Sequence, residues 1–77
     1  MEVWRMDRLS IYAARRAAVT EEQIERTARL LEQTGWYMPI MVDPFGSVLD
    51  GTVLYLAAAR LGYERVPVVV IGFEEGG

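Results

Sequence analysis

Residues 39–62, PIMVDPFGSVLDGTVLYLAAARLG, hold two short apolar runs, a tight turn between them and a helix-forming run with no linker ahead of it. Pro39 stands at the mouth of Ile40-Met41-Val42, a short run that reads as a buried strand. Asp43-Pro44-Phe45-Gly46 is a turn by composition, because Pro44 presets its own backbone angle and Gly46 closes the reversal at no steric cost. Ser47-Val48-Leu49 is then the returning strand of a hairpin. Asp50-Gly51 turns the chain again, and Val53 to Leu61 is strongly helix-forming, with Gly62 as its stop. At 100° per residue, Val53, Leu54, Ala57, Ala58 and Leu61 make one core-facing stripe. Tyr55 and Leu56 fall off that stripe, with Leu56 beside Arg60. Leu56 is therefore either covered by another part of the chain or exposed as an apolar contact surface.

Outward from this block, Val66 to Ile71 is a β-branched run and the last strand, with Pro67 among its first positions. Upstream, Thr20-Glu21-Glu22-Gln23 matches a capping box, in which the Thr hydroxyl and the side chain three residues on satisfy each other's free N–H groups. The helix it opens puts Ile24, Thr27, Ala28 and Leu31 on one face. Glu22 with Arg26 and Glu25 with Arg29 are acid-before-base pairs at i,i+4 on the other. Gly35 ends this helix. Met1 to Ile11 alternates loosely and suits one strand or two fragments, while Tyr12 to Val19 has no clear period and reads as a connecting segment holding Arg15-Arg16. Residues 72–77 are expected to be a loose tail. The expected fold is α+β, a small mixed sheet with two principal helices, as one domain over residues 1–77.

Composition narrows the chemistry. The 77 residues contain no cysteine and no histidine, which removes thiol catalysis, thiolate metal sites, the usual general base and the commonest metal ligand. An apolar content of 52% argues against disorder. All eight basic residues are arginine, and the formal net charge is −3, so the chain as a whole repels a phosphate backbone unless the arginines share a face. Met1 to Ser10 lacks the apolar core of ~7–15 residues that a signal peptide needs, and no run approaches the ~18 residues of a membrane span. A cytoplasmic protein with no cofactor, no metal site and no membrane association is expected.

Residues 20–71, about two thirds of the chain, resemble the ParB N-terminal domain, the ParB/sulfiredoxin or ParB-like nuclease superfamily. The shared pieces are a helix ending in Gly35 before an aromatic, Pro39-Ile40-Met41-Val42, an acidic turn, Leu49-Asp50-Gly51, Ala57-Ala58, Leu61-Gly62 and Val66-Pro67. The resemblance implies a bacterial, phage or plasmid protein, associated with DNA, with nuclease or nucleotidase activity among the family's attributes. In ParB-type members the turn glycine leads a motif such as G-E-R-R-x-R whose arginines hold nucleotide phosphates, in adapter-like relatives G-H-x-R, and in sulfiredoxins G-C-H-R with a catalytic cysteine. Here Gly51 is kept, Thr52 takes the Glu, His or Cys position, and Val53, Leu54 and Leu56 take the arginine positions. Each lost arginine removes a fork of charge-assisted hydrogen bonds. The family's Asn-Pro-Arg box would lie near Tyr12 to Arg16, where only Arg15 or Arg16 matches. These 77 residues alone are expected to lack the helix-turn-helix region of full-length ParB proteins, whether as a whole protein or as a fragment or isolated domain.

Two sets of candidate residues follow. Gly51 and Thr52, with Arg15 and Arg16, are the phosphate or nucleotide candidates, since a helix N-terminus carries about half a positive charge and free N–H groups; the simpler role for Thr52 is the helix cap. Trp36, Tyr37, Tyr55, Leu56 and Arg60 are candidates for contact with a protein partner or a second copy. Large aromatics anchor interfaces, although Trp36-Tyr37 after a helix stop is more commonly a packing corner. Asp43 and Asp50 sit where turns ordinarily place aspartate and lack the converging oxygens of a metal site. The function expected is a non-enzymatic accessory or regulatory binding protein. The alternative is a nucleotide- or DNA-binding protein with weak nuclease or nucleotidase activity.

Overall fold

Two hydrophobic clusters organise the computed structural model, which describes residues 1–72. The expected loose tail otherwise lies outside the described residues. Four strands form one sheet in the order β1-β4-β2-β3: β1 (Glu2–Arg5), β2 (Ile40–Val42), β3 (Val48–Asp50) and β4 (Arg65–Val70). β1 runs antiparallel to β4, β4 parallel to β2, and β2 antiparallel to β3, so the sheet is mixed as expected. Three helices accompany it: α1 (Ala13–Ala17), α2 (Glu21–Thr34) and α3 (Thr52–Leu61). The main core joins Trp4, Leu9, Leu31, Ile40, Val42, Val48, Leu54, Ala58, Val66 and Val68. A second, smaller cluster of Ile24, Ala28 and Ala57 is where α2 and α3 meet.

The N-terminus of α2 forms as its sequence requires. The Gln23 N–H donates to Thr20 Oγ1 at 3.1 Å and the Thr20 N–H to Gln23 Oε1 at 2.9 Å, which closes the capping box. Ile24, Ala28 and Leu31 are buried and Thr27 half-buried, so the apolar face is the one that spacing dictates. Of the two expected i,i+4 pairs, Glu22–Arg26 closes at 2.9 Å and Glu25–Arg29 does not. Both residues of the second pair face the groove between α2 and α3, beside Arg60.

Two elements, α1 and the ends of the α3 stripe, depart from the sequence expectation, and the structure settles two others, residues 1–11 and Pro67. Residues 12–19 contain the short helix α1 rather than only a connector; its five residues bury no side chain, which is why no apolar period marked it. Residues 1–11 give both a strand and a fragment: β1, then a 3-10 turn over Met6–Arg8, then Ser10, bridged in parallel to Ser47 at the far edge of the sheet. On α3, Leu54, Ala57 and Ala58 are buried, but Val53 and Leu61, at the two ends of the stripe, are only half-buried. Pro67 lies in a strand flanked on both sides, where a missing N–H is normally costly. It is accommodated because β2 begins at Ile40, opposite Val68, so Pro67 precedes the first rung on that side.

Candidate functional site

The sequence Leu49-Asp50-Gly51-Thr52 carries the chain from the end of β3 straight into α3, with Gly51 the only residue between. Such a link needs a left-handed backbone, and Gly51 supplies it at φ 94°, ψ 28°. Gly51 is therefore the N-cap, and Thr52 is the first helical residue rather than the cap expected of it. The reason is conformational: the one residue of the reversal takes a left-handed backbone that favours glycine, and threonine is displaced by one position. As in any α-helix, the first-turn N–H groups of Thr52, Val53 and Leu54 have no intrahelical carbonyl to donate to.

These N–H groups open on a groove of about 370 Å³ lined by Tyr37, Met38, Asp50, Gly51, Thr52, Val53 and Leu54. No arginine lines it. Its carboxylate is Asp50, whose Oδ1 accepts the Gly51 N–H at 2.9 Å. An acid at this point offsets the partial positive charge of the helix end and repels an incoming phosphate. The groove thus offers backbone donors and apolar walls without the cation that a phosphate site draws its affinity from.

The arginines expected near it are held elsewhere. The Arg15 guanidinium donates to the Leu49 carbonyl, one residue before Asp50, which brings Arg15 to the edge of β3 but not into the groove. Arg16 lies 3.9 Å from Glu21, and Arg60 binds the same carboxylate at 2.7 Å, so Glu21 ties together α1, α2 and α3. The hydrogen bond from Arg60, followed by the charges of Arg60 and Arg16, holds the Glu21 carboxyl below its ordinary range against a partial desolvation. A carboxyl lowered by folding stabilises the fold above its unfolded value and loses that contribution as pH falls through its folded value. Acid titration of the wild type is expected to lose stability in that window, and Glu21→Gln to flatten this part of the profile; an unchanged profile in the variant would show that the exposed pair contributes nothing.

The aromatic candidates divide. Trp36 is half-buried against the main core, its ring edge-on to Tyr63 with centroids 5.3 Å apart, a packing corner. Tyr55 also packs on the main core, and Leu56 on the second cluster beside Val19 and Leu61. Tyr37 is exposed. Met38, exposed beside it, was not among the expected site residues. Together they line both the α3 groove and a second, apolar groove of about 220 Å³ formed with Met1, Trp36, Pro39 and Pro67. Strand phase would put Met38 on the face of the buried Ile40, and it is exposed because residues 36–39 are not in a strand, so no pattern in the sequence marked it. Asp43 serves its turn, with Oδ1 accepting the N–H groups of Phe45 at 2.9 Å and Ser47 at 3.0 Å. Among the described residues no three carboxylates gather as a metal site would require.

No family model matches this sequence. A relative from Escherichia coli (strain K12), the ParB-like nuclease domain-containing protein YnaK, is 30% identical over 66 residues, spanning 86% of this chain and 76% of the relative. Among solved structures, the Pnob8-like ParB-N domain superposes with a TM-score of 0.77 at 19% identity, over 96% of this chain and 30% of that one. A free serine kinase in complex with AMP gives 0.79 at 15% identity, over 97% and 32%. Sulfiredoxin from Arabidopsis thaliana gives 0.78 at 14% identity, over 97% and 90%. The chain thus spans under a third of the first two structures, and at these identities the likeness is one of fold. Joined to the sequence relationship with YnaK and to the strand-glycine-helix turn at Gly51, it places the chain in the ParB-like nuclease domain family, on the fold that ParB N-domains share with sulfiredoxin.

Proposed function

We propose that this chain is a non-enzymatic accessory or regulatory binding protein that keeps the ParB-like fold and uses it for contact with a protein or nucleoprotein partner. The observation that carries this reading is the groove at the start of α3, which no arginine lines and whose charged side chain is the Asp50 carboxylate. Its contact surface is the exposed pair Tyr37 and Met38 with the groove on either side, rather than the wider set that included Trp36, Tyr55, Leu56 and Arg60. Among the described residues no helix is long and apolar enough to cross a membrane. A bacterial cytoplasmic setting, or that of a phage or plasmid, accords with the relative in Escherichia coli.

The test is an amide-resolved NMR titration with magnesium and ATP, then CTP. No saturable shift over Gly51 to Leu56 at millimolar nucleotide is expected. A saturable shift there would overturn the reading and favour the second one, a nucleotide- or DNA-binding protein of the kind the name of its nuclease-domain relative suggests. In the partner reading, Tyr37→Ala changes stability by less than about 0.5 kcal/mol, as exposed substitutions do, while weakening capture of the partner or of a second copy. Capture unchanged in this variant would remove Tyr37 from the contact surface.

A further inference from the structure

The two edges of the sheet are treated differently. Among the described residues β1 is an edge without a neighbour, whereas the outer edge of β3 is met by Ser10 and Arg15 of the same chain. The segment that holds them is fastened firmly at its ends. At the first, the Ser10 N–H donates to the Gly46 carbonyl at 2.9 Å and the Val48 N–H to the Ser10 carbonyl at 2.8 Å. At the second, Val19 packs on the Ile24, Ala28 and Ala57 cluster, immediately ahead of the Thr20 cap. Between these anchors α1 buries no residue, and a five-residue helix cannot sustain itself in water. The hydrogen bond across to the sheet is the one from the Arg15 guanidinium to the Leu49 carbonyl. The other side-chain tie, Arg16 to Glu21 at 3.9 Å, leads to α2 rather than to β3, and Arg60 holds the same carboxylate more closely.

We infer that α1 is a strap, latched by Arg15, that opens as a local unit while the two-helix core stays folded, and that opening frees the Leu49 carbonyl at the outer edge of β3. Opening sets free the Leu49 carbonyl next to the α3 groove, a backbone acceptor that the closed strap keeps from pairing with another strand, while the Ser10 bonds to Gly46 and Val48 stay with the first anchor. The inference is independent of what the groove binds.

Native-state hydrogen exchange tests it. Three amides report on the strap: Arg16, bonded to the Tyr12 carbonyl, Ala18, bonded to Arg15, and Val19, bonded to Arg16. They are expected to exchange at least about 100-fold faster than the interior amides of α2, because they need only a local opening. Arg15→Ala is expected to speed them a further several-fold, leaving α2 and β4 unchanged. Strap amides that exchange at the rate of α2 would overturn the inference, since α1 would then open only with the whole fold. Strap rates unchanged by Arg15→Ala would overturn the latch. If that variant loses protection in α2 and β4 as well, Arg15 supports the whole fold and the local strap is likewise refuted.

Discussion

Gly46→Ala is expected to cost about 3 kcal/mol or more, although the turn that holds it is short and its neighbours Pro44 and Phe45 are exposed. Gly46 sits in the Asp43–Gly46 turn at φ 96°, a conformation unfavourable for alanine by about 1 kcal/mol. The larger part is steric. A Cβ at this position would lie 2.1 Å from the Arg8 carbonyl oxygen, and that oxygen is backbone, so it cannot swing aside as a side chain would. Relief requires moving the 3-10 turn at Met6–Arg8 off the hairpin, and with it the hydrogen bond from the Ser10 N–H to the Gly46 carbonyl. In a domain of this size 3 kcal/mol lowers Tm by roughly 15 °C. Gly51→Ala is the control, because Gly51 has a similar φ of 94° while an added Cβ would stand 3.6 Å from the Ile40 Cα, an ordinary contact. It is expected to cost about 1 kcal/mol. Thermal melts of the two variants separate the conformational cost from the collision; equal Tm losses would show that the N-terminal segment yields freely.

Leu56→Glu is expected to destabilise the fold by about 2 kcal/mol rather than to disarm a surface. The sequence leaves Leu56 either covered or exposed, and it is half-buried, packed on Ile24, Ala28 and Ala57 together with Val19 and Leu61. A carboxylate there loses apolar contact and gains no cation, because Arg60 is already engaged by Glu21. The first turn of α2, with Glu21 and Glu22, adds like charge. Urea unfolding should show the midpoint falling by roughly 1 to 2 M at unchanged slope. Leu56→Met, which conserves volume, should stay within about 1.5 kcal/mol of wild type. A Leu56→Glu protein as stable as the wild type would return Leu56 to the contact surface.

Both variants bear on what can be read without coordinates. The α2 helix was legible to the residue at its start, because a capping box is a local device satisfied within four residues. The strands β2 and β4 were legible from unbroken β-branched or apolar runs, and the turn at Asp43–Gly46 from its composition. The helix α1 was not legible, because it buries nothing and leaves no apolar period. The place of Thr52 was misjudged because a cap is assigned from residue type, whereas here the backbone angle demanded by a one-residue link decided it.

The candidate site shows the same division. Loss of arginine at positions 53, 54 and 56 is visible in the residues themselves, and so is the family resemblance, since both depend on order along the chain. Where Arg15 and Arg60 place their charge depends on Leu49 and Glu21, partners at sequence separations that no local pattern encodes. Arg16 reaches Glu21 only because α1 and α2 meet at an angle set by the fold. Trp36 turns inward because Tyr63 lies beside it, while Tyr37 and Met38 remain outside. By itself, then, the sequence determined the helices that carry their own signals, the succession of the main strands along the chain and the lack of arginine at positions 53, 54 and 56, all written in residue type and spacing. Only the tertiary structure decided which edge of the sheet is covered, which aromatics face solvent and which cations are already paired, because burial and long-range pairing are properties of the packed chain.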